Sequence, residues 1–412
     1  MTTSIHFPDH APIHAFDRVG GELVIGGVPL SRLAARIGRT PFYAYSREAI
    51  SARVAELRAA LPEAVRLHYA MKANPMPALV AHLVGLTDGI DVASAQEMHV
   101  ALDAGADPGH MSFAGPGKTP EEISRAIAAG VAINLESEGQ YRAALVAAET
   151  LGIAPRLAIR INPAFELKSS GMQMGGGPKP FGIDEELVPG LVARMCADGV
   201  PPVGLHIYSG SQNLRADAII EAQRNSVSLG IRLAAQLPDG LEWLNIGGGF
   251  GVPYFPGEAP LDVGRIGEAL APLCEEAARH GVGPLVLELG RYLVAEAGVY
   301  VTRVLDRKVS RDRTFLVVDG GLHHNLAASG NFGQVLRKNY PVAIGNRLDA
   351  QATEPQTVVG PLCTPLDLLA DRMALAPAQP GDFVVVFMAG AYGLSASPTR
   401  FLSHPEPAEA LV

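Results

Sequence analysis

Cysteine is scarce. The chain has three in 412 residues, Cys196, Cys274 and Cys363, and they lie far apart. That spacing offers neither a disulfide framework nor a metal-ligand cluster, and it suits a reducing, cytoplasmic setting. Long apolar runs are missing as well: none reaches the roughly 18 residues of a membrane span. The first ten residues, Met1 to His10, show no positive stretch leading into an apolar one, so no leader peptide is expected. Basic blocks are also absent. With a formal charge of −9, neither nucleic acid nor an anionic membrane is an expected partner. What the chain has in quantity is hydrophobic residues (48%), with 45 glycines and 32 prolines. The length predicts two or three domains, and frequent short turns fit the glycine and proline.

Residues 1–40 read as a β-rich lead-in. Gly20 to Val28 is a turn, a strand and a turn, and Leu30 to Ile37 is a short amphipathic helix. Phe42 to Tyr45 reads as a strand, and Arg47 to Leu61 carries apolar residues at helical spacing. A rhythm then sets in. Apolar runs at Val65–Met71, Ile90–Ala93, Met111–Ala114, Ala132–Leu135, Leu157–Ile161, Val203–Tyr208, Trp243–Ile246 and Leu285–Leu289 alternate with helical segments. Thr119-Pro120-Glu121-Glu122 opens one helix with a cap, a first-turn proline and early acids. Glu138 to Leu151 and Ile266 to His280 are two more. About eight βα units predict an α/β fold, a (β/α)₈ TIM-type barrel over 41–291. A doubly wound open sheet is the alternative, but no Gly-x-Gly-x-x-Gly follows the first strand. Residues 292–412 read as β-rich, with strands at Tyr300–Leu305, Thr314–Val318, Gln356–Val359 and Asp382–Phe387 and a charged turn at Lys308–Arg313. They predict a separate all-β domain completed by the N-terminal lead-in.

Barrels of this type work at the C-terminal ends of their strands, and that is where the unusual residues fall. Strand one runs His68-Tyr69-Ala70-Met71-Lys72-Ala73-Asn74-Pro75. Burial disfavours an ammonium, and a neutral amine there is nucleophilic enough for a Schiff base to a carbonyl cofactor. The ordinary reading is a lysine snorkelling into solvent. Strand two ends at Asp91-Val92-Ala93-Ser94, strand five carries Arg160, and strand six runs from His206 to Gln212. Gly247-Gly248-Gly249 follows strand seven, as a phosphate nest or a tight turn. Strand eight ends in Glu288-Leu289-Gly290-Arg291. Barrel closure makes strand eight the neighbour of strand one, so Lys72 and Glu288 should meet. Glu288 is either a structural acid paired with Arg291 or Arg160, or a carboxylate that keeps a pyridine nitrogen protonated. A Schiff-base lysine, a phosphate nest and a pyridinium acid together describe a pyridoxal 5′-phosphate site.

At these residues the chain resembles the fold-type III pyridoxal-phosphate amino-acid decarboxylases, the diaminopimelate, ornithine and arginine decarboxylases. The matching segments are Tyr69–Asn74, Asp91–Ser94, Gly247–Gly251, Glu288–Arg291, Gly360-Pro361-Leu362-Cys363 and Gly390-Ala391-Tyr392-Gly393. The resemblance implies a barrel plus a β-domain and a head-to-tail homodimer with shared active sites. It implies that Lys72 forms the aldimine with the cofactor, that Glu288 binds the pyridine nitrogen with Arg160 close by, and that Asp91 orients the lysine side. Gly247, Gly248, Gly249, Arg291 and Tyr392 would hold the phosphate, with Ser211 nearby. Cys363, from the partner subunit, would return a proton after the α-carboxylate leaves as CO₂; otherwise it is a small buried hydrophobe.

Three departures bear on the substrate. Tyr208 stands where the family has a ring-stacking histidine, with His206 two residues earlier, either sharing that role or a core histidine. Leu289 replaces a proline. Thr364 follows Cys363 where diamino-acid enzymes carry an acid for the substrate's distal ammonium, and no arginine follows Asp319-Gly320-Gly321. His323-His324 stands there, without a third metal ligand at sensible spacing, as polar surface or substrate contacts. Lys168 to Gly182, rich in glycine, resembles an atypical subgroup acting on unusual or carrier-linked amino acids; it reads as a loop over the site or a plain surface loop. Diaminopimelate remains a possible substrate. The alternatives are a non-enzymatic pyridoxal-phosphate-binding protein, which lacks the β-domain, and a racemase, which needs a second base.

Overall fold

The computed structural model describes residues 10–166, 172–173, 175–334 and 337–412. The residues read for a leader, up to Asp9, lie outside these. So do Lys168, Ser169, Ser170, Gly171 and Met174 of the glycine-rich segment. The chain forms two compact units. One comprises residues 54–252 and 261–290, and the other residues 1–53, 253–260 and 291–412.

The first unit is the barrel. Its parallel strands are β1 (Arg66–Ala70), β2 (Gly89–Val92), β3 (Met111–Phe113), β4 (Ala132–Leu135), β5 (Leu157–Asn162), β6 (Gly204–Ile207), β7 (Trp243–Gly248) and β8 (Leu285–Leu289). Each pairs with the next, and β8 pairs with β1, Leu289 standing opposite Tyr69. A two-residue strand, Ile183–Asp184, adds to the end of β5. The helices begin where local chemistry favours them. Thr119 and Glu122 form a reciprocal capping box, Ser94 and Ser137 each accept a backbone N–H, and Gly130 and Gly152 end their helices in the left-handed conformation. Strand alternation sends Leu205 and Ile207 of β6 towards the helices and His206 inwards. The interior is unusually polar for such a barrel, holding His68, Asp91, Ser112, Asn134, Arg160, His206, Asn245 and Glu288.

The second unit is a mixed sheet around β9 (Gly298–Ser310), which pairs with Phe42–Tyr45, Phe383–Val386 and β10 (Arg313–Val318). Phe42–Tyr45 also pairs with Ala408–Leu411. Residues 41–53, expected in the barrel, therefore belong to this unit, because a buried strand goes where its ladder partners are. The charged turn shrinks to Arg311-Asp312, both at positive φ, in a two-residue hairpin that joins Ser310 to Arg313. Among the described residues no helix is long and apolar enough to cross a membrane.

Candidate active site

Lys72 sits in a single helical turn, Met71–Ala73, that directly follows β1. Its Nζ donates to Glu288 Oε1 at 2.8 Å. The other oxygen, Oε2, lies 3.0 Å from His206 Nε2, outside the angle of a straight hydrogen bond. Glu288 and His206 are buried, whereas the Lys72 side chain is 39% exposed. Burial by itself would raise the Glu288 carboxyl. The Lys72 ammonium and the His206 imidazole outweigh it and hold the acid well below the usual carboxylate range. The Tyr208 ring lies 5.2 Å from Lys72 Nζ, so an aromatic face stands against the lysine.

Beside these residues, the loops after β6 and β7 are zipped together. Asn213 N–H donates to Gly249 O and Gly251 N–H to Asn213 O, both at 2.9 Å, and the Gln212 amide bonds both backbone groups of Val252. Gly247 and Gly249 have φ of +72° and +73°. A Cβ on Gly248 would stand 2.3 Å from Glu288 O, so no side chain fits where this loop crosses β8. Ser211 Oγ is buried without a partner.

Arg160 and Asp91 have partners of their own. Arg160 Nη1 bonds Glu136 Oε1 at 3.0 Å, not Glu288, and its guanidinium lies over Phe181. Glu136 also accepts the backbone N–H groups of Gly115 and Gly182. Buried Lys118 stands in the same network, bonding Gly115 O and Asn134 O, and burial pushes its ammonium down to about 8. Asp91 bonds His68 Nδ1 at 3.1 Å and Ser112 Oγ at 2.6 Å. Its bond to His68, two residues before the Ala70 it stands level with, turns it towards the N-terminal side of the strand. Glu136 and Lys118 were missed, yet Glu136 gave a signal: an acid one residue past the end of β4. Lys118 was hidden by the helix-start motif after it.

The remaining candidates belong to the mixed-sheet unit. Arg291 begins a short helix, donates to Tyr254 OH at 3.0 Å and lies 4.6 Å from the Tyr392 ring. Burial would lower its guanidinium; the Tyr254 and Tyr392 oxygens raise it above its ordinary value, so the cation is permanent. Tyr254 had no sequence signal. Cys363 is exposed in the turn from Gly360 to Asp367, not a buried hydrophobe. Thr364 lies beside it. The nearby Asp367 is buried and accepts the N–H groups of Leu322 and Leu362 at 2.7 and 2.8 Å. His323 and His324 are fully buried, not polar surface, their ring centres 3.7 Å apart. The reason is packing: Tyr300 OH and Pro405 O satisfy the His324 nitrogens. Among the described residues no group of three His, Cys, Asp or Glu could hold a metal ion.

An ionised, buried carboxylate between a lysine and an imidazole is suited to holding a proton on a heterocyclic nitrogen. Comparison with known proteins bears on this geometry. Residues 47–295 match the family described as pyridoxal-dependent decarboxylase, pyridoxal binding domain. The L-glutamyl-[BtrI acyl-carrier protein] decarboxylase of Niallia circulans is 40% identical over 90% of this chain and 88% of its own. The diaminopimelate decarboxylase of Aquifex aeolicus is 33% identical over 95% of this chain and 91% of its own. The crystal structure of a Helicobacter pylori diaminopimelate decarboxylase mutant complexed with L-lysine superposes with a TM-score of 0.82 at 27% identity, covering 93% of this chain and 94% of that one.

Proposed function

Because this chain belongs to the pyridoxal-dependent decarboxylase family, we propose that it removes the α-carboxylate of an amino acid whose far end is an acyl group held on a carrier protein. The enzyme is a carboxy-lyase and its cofactor is pyridoxal phosphate. The observation that carries the finer reading is the similarity, over nine-tenths of the chain, to a decarboxylase named for an L-glutamyl carrier protein. The chemistry around Cys363 supports it. Thr364 is neutral, and the buried carboxylate of Asp367 is occupied by two backbone N–H groups. No acid in that turn is left for a distal ammonium. The non-enzymatic and racemase readings are set aside, since relatives matching nine-tenths or more of the chain are decarboxylases.

The residues present fit the cofactor. Glu288 is a buried acid held ionised, Ser211 Oγ is a buried hydroxyl without a partner, and the loop at Gly247–Gly249 admits no Cβ at its closest crossing. Bound pyridoxal phosphate supplies an electron sink for the pair left when CO₂ departs. In this reading Lys72 would hold the cofactor through its amine, giving up its contact with Glu288. Glu288 would keep the pyridine nitrogen protonated, while His206 steadies the Glu288 oxygen turned away from Lys72. Gly247, Gly248, Gly249, Ser211, Arg291 and Tyr392 would bind the phosphate, and Tyr208 would lie beside the ring. Cys363, exposed in its own subunit, returns the proton at Cα in the partner's site of a homodimer. Thr364 borders the substrate. Free thiols throughout agree with a cytoplasmic enzyme.

The test measures CO₂ release from meso-diaminopimelate, free L-glutamate and L-glutamyl carrier protein. Turnover of the carrier-linked substrate alone is expected; brisk turnover of diaminopimelate would refute the reading. Mixing inactive Lys72→Ala and Cys363→Ala proteins tests the shared site. Random re-pairing should restore about a quarter of the wild-type activity, and no restoration would remove Cys363 from the partner's site.

A further inference from the structure

A second chamber opens at the opposite mouth of the barrel from Lys72. It has a volume of about 230 Å³ and lies among the first residues of the strands. Arg66 begins β1, Met111 begins β3 and Trp243 begins β7, and all three line it. A cavity of about 150 Å³ takes a benzene-sized ligand, so by proportion this one takes roughly nine non-hydrogen atoms.

The chamber's inner end carries polar atoms that nothing satisfies. Asp91 is 6% exposed; its Oδ1 is engaged by Ser112 and His68, but its Oδ2 has no partner. Asn245 is 1% exposed; its Oδ1 accepts Gly247 N–H at 2.8 Å, which orients the amide, and its Nδ2 has no partner. An acceptor and a donor therefore both lack partners at the inner end. Gly89 makes the room: a Cβ there would lie 2.5 Å from His68 Nε2 and 2.3 Å from His110 O. At the mouth, Arg66 is exposed and has no ion pair among the described residues, while Arg156 bridges Gly109 O and Glu242.

The two charges are far apart in depth. Asp91 stands level with Ala70, four residues beyond Arg66. At a rise of about 3.3 Å per residue the two backbones are about 13 Å apart along the strand, shortened by the reach of the arginine and by the Asp91 carboxylate, which bonds His68, two residues beyond Arg66. An α-amino acid holds its charges too close together to use both. A linear chain with an ammonium at one end and a carboxylate at the other matches them.

We propose that this chamber binds a short ω-amino acid, its ammonium on Asp91 Oδ2 and its carboxylate towards Arg66. The site is separate from the one at Lys72 and does not depend on the substrate proposed above. Trp243, the only tryptophan in the chain, lines the chamber and reports on it alone. The holoenzyme is titrated with 5-aminopentanoate while tryptophan fluorescence and cofactor absorbance are both followed. A saturable fluorescence change with unchanged cofactor absorbance is expected. Pentylamine and pentanoate, each with half of the charge pattern, should bind at least about tenfold more weakly. Asp91→Asn should weaken binding about thirtyfold, and Arg66→Gln, at the exposed rim, about fivefold. Should Asp91→Asn not fold, the rim variant and the single-charge compounds still decide. Absence of a saturable change means that solvent fills the chamber and overturns the proposal. So does a change that Arg66→Gln leaves intact and that moves with the cofactor band.

Discussion

Replacing Lys72 by Met and Glu288 by Gln, singly and together, measures what the central ion pair contributes to the cofactor-free protein. At 2.8 Å and an effective dielectric near 20, the bare attraction is about 6 kcal/mol. Lys72 is more than one-third exposed, so solvent screens much of that; a coupling of about 2 kcal/mol remains. The two single changes should differ. Glu288→Gln frees an ammonium that can turn to water, at a cost of about 1 kcal/mol. Lys72→Met strands a buried carboxylate against His206 alone and should cost about 3 kcal/mol. The wild-type Glu288 is depressed in the fold, so its stabilisation is present above the unfolded carboxylate range. It is lost as pH falls through the folded value. In Lys72→Met the acid should titrate higher, and the loss should begin nearer neutrality. The assay is urea unfolding of the apoprotein at fixed protein concentration, at pH 7 and pH 5. Double-mutant additivity within about 0.5 kcal/mol would refute the reasoning.

Two further expectations concern pH. Burial, with His324 and His404 alongside, pushes His323 down to about 3, and burial pushes His324 down to about 4. The unfolded chain therefore takes up protons first as pH falls below about 6.5. Each histidine should withdraw roughly 2 kcal/mol of stability between pH 6.5 and 5, and His323→Asn should remove about half of the combined fall in the urea midpoint over that range. Lys118, near 8 in the fold and near 10.4 unfolded, has the opposite sense. Its burial cost is full below pH 8 and is relieved above it, by roughly 3 kcal/mol in all. Lys118→Met should abolish the rise in stability between pH 8 and 10.

The barrel was legible in the sequence because its signal is a repeated period, and each of its eight runs meets its strand to within a residue or two. Lys72 and Glu288 were legible for a topological reason: closure makes the first and last strands neighbours wherever their ends fall. Arg160 was legible on β5, but its partner Glu136 was not, since only geometry selects it. The partners that orient Asp91, His68 and Ser112, lie on the strands beside it, which a single strand's sequence does not identify. In the mixed sheet, Leu368–Leu375 was missed because Asp371 and Arg372 interrupt its apolar pattern. Val342–Ile344, with three residues, is too short to show a period.

Asn245 faces two ways. One atom of its amide fastens the start of the glycine loop at Gly247, and the other borders the chamber at the far mouth. The two ends of the barrel thus share a single planar group, which cannot turn for one without letting go of the other. An aspartate at this position would keep the oxygen that Gly247 needs and replace the donor with a second acceptor. The two mouths could then be inherited separately, so that a descendant of this barrel could lose or change what its lower chamber recognises while the upper loop stayed as it is.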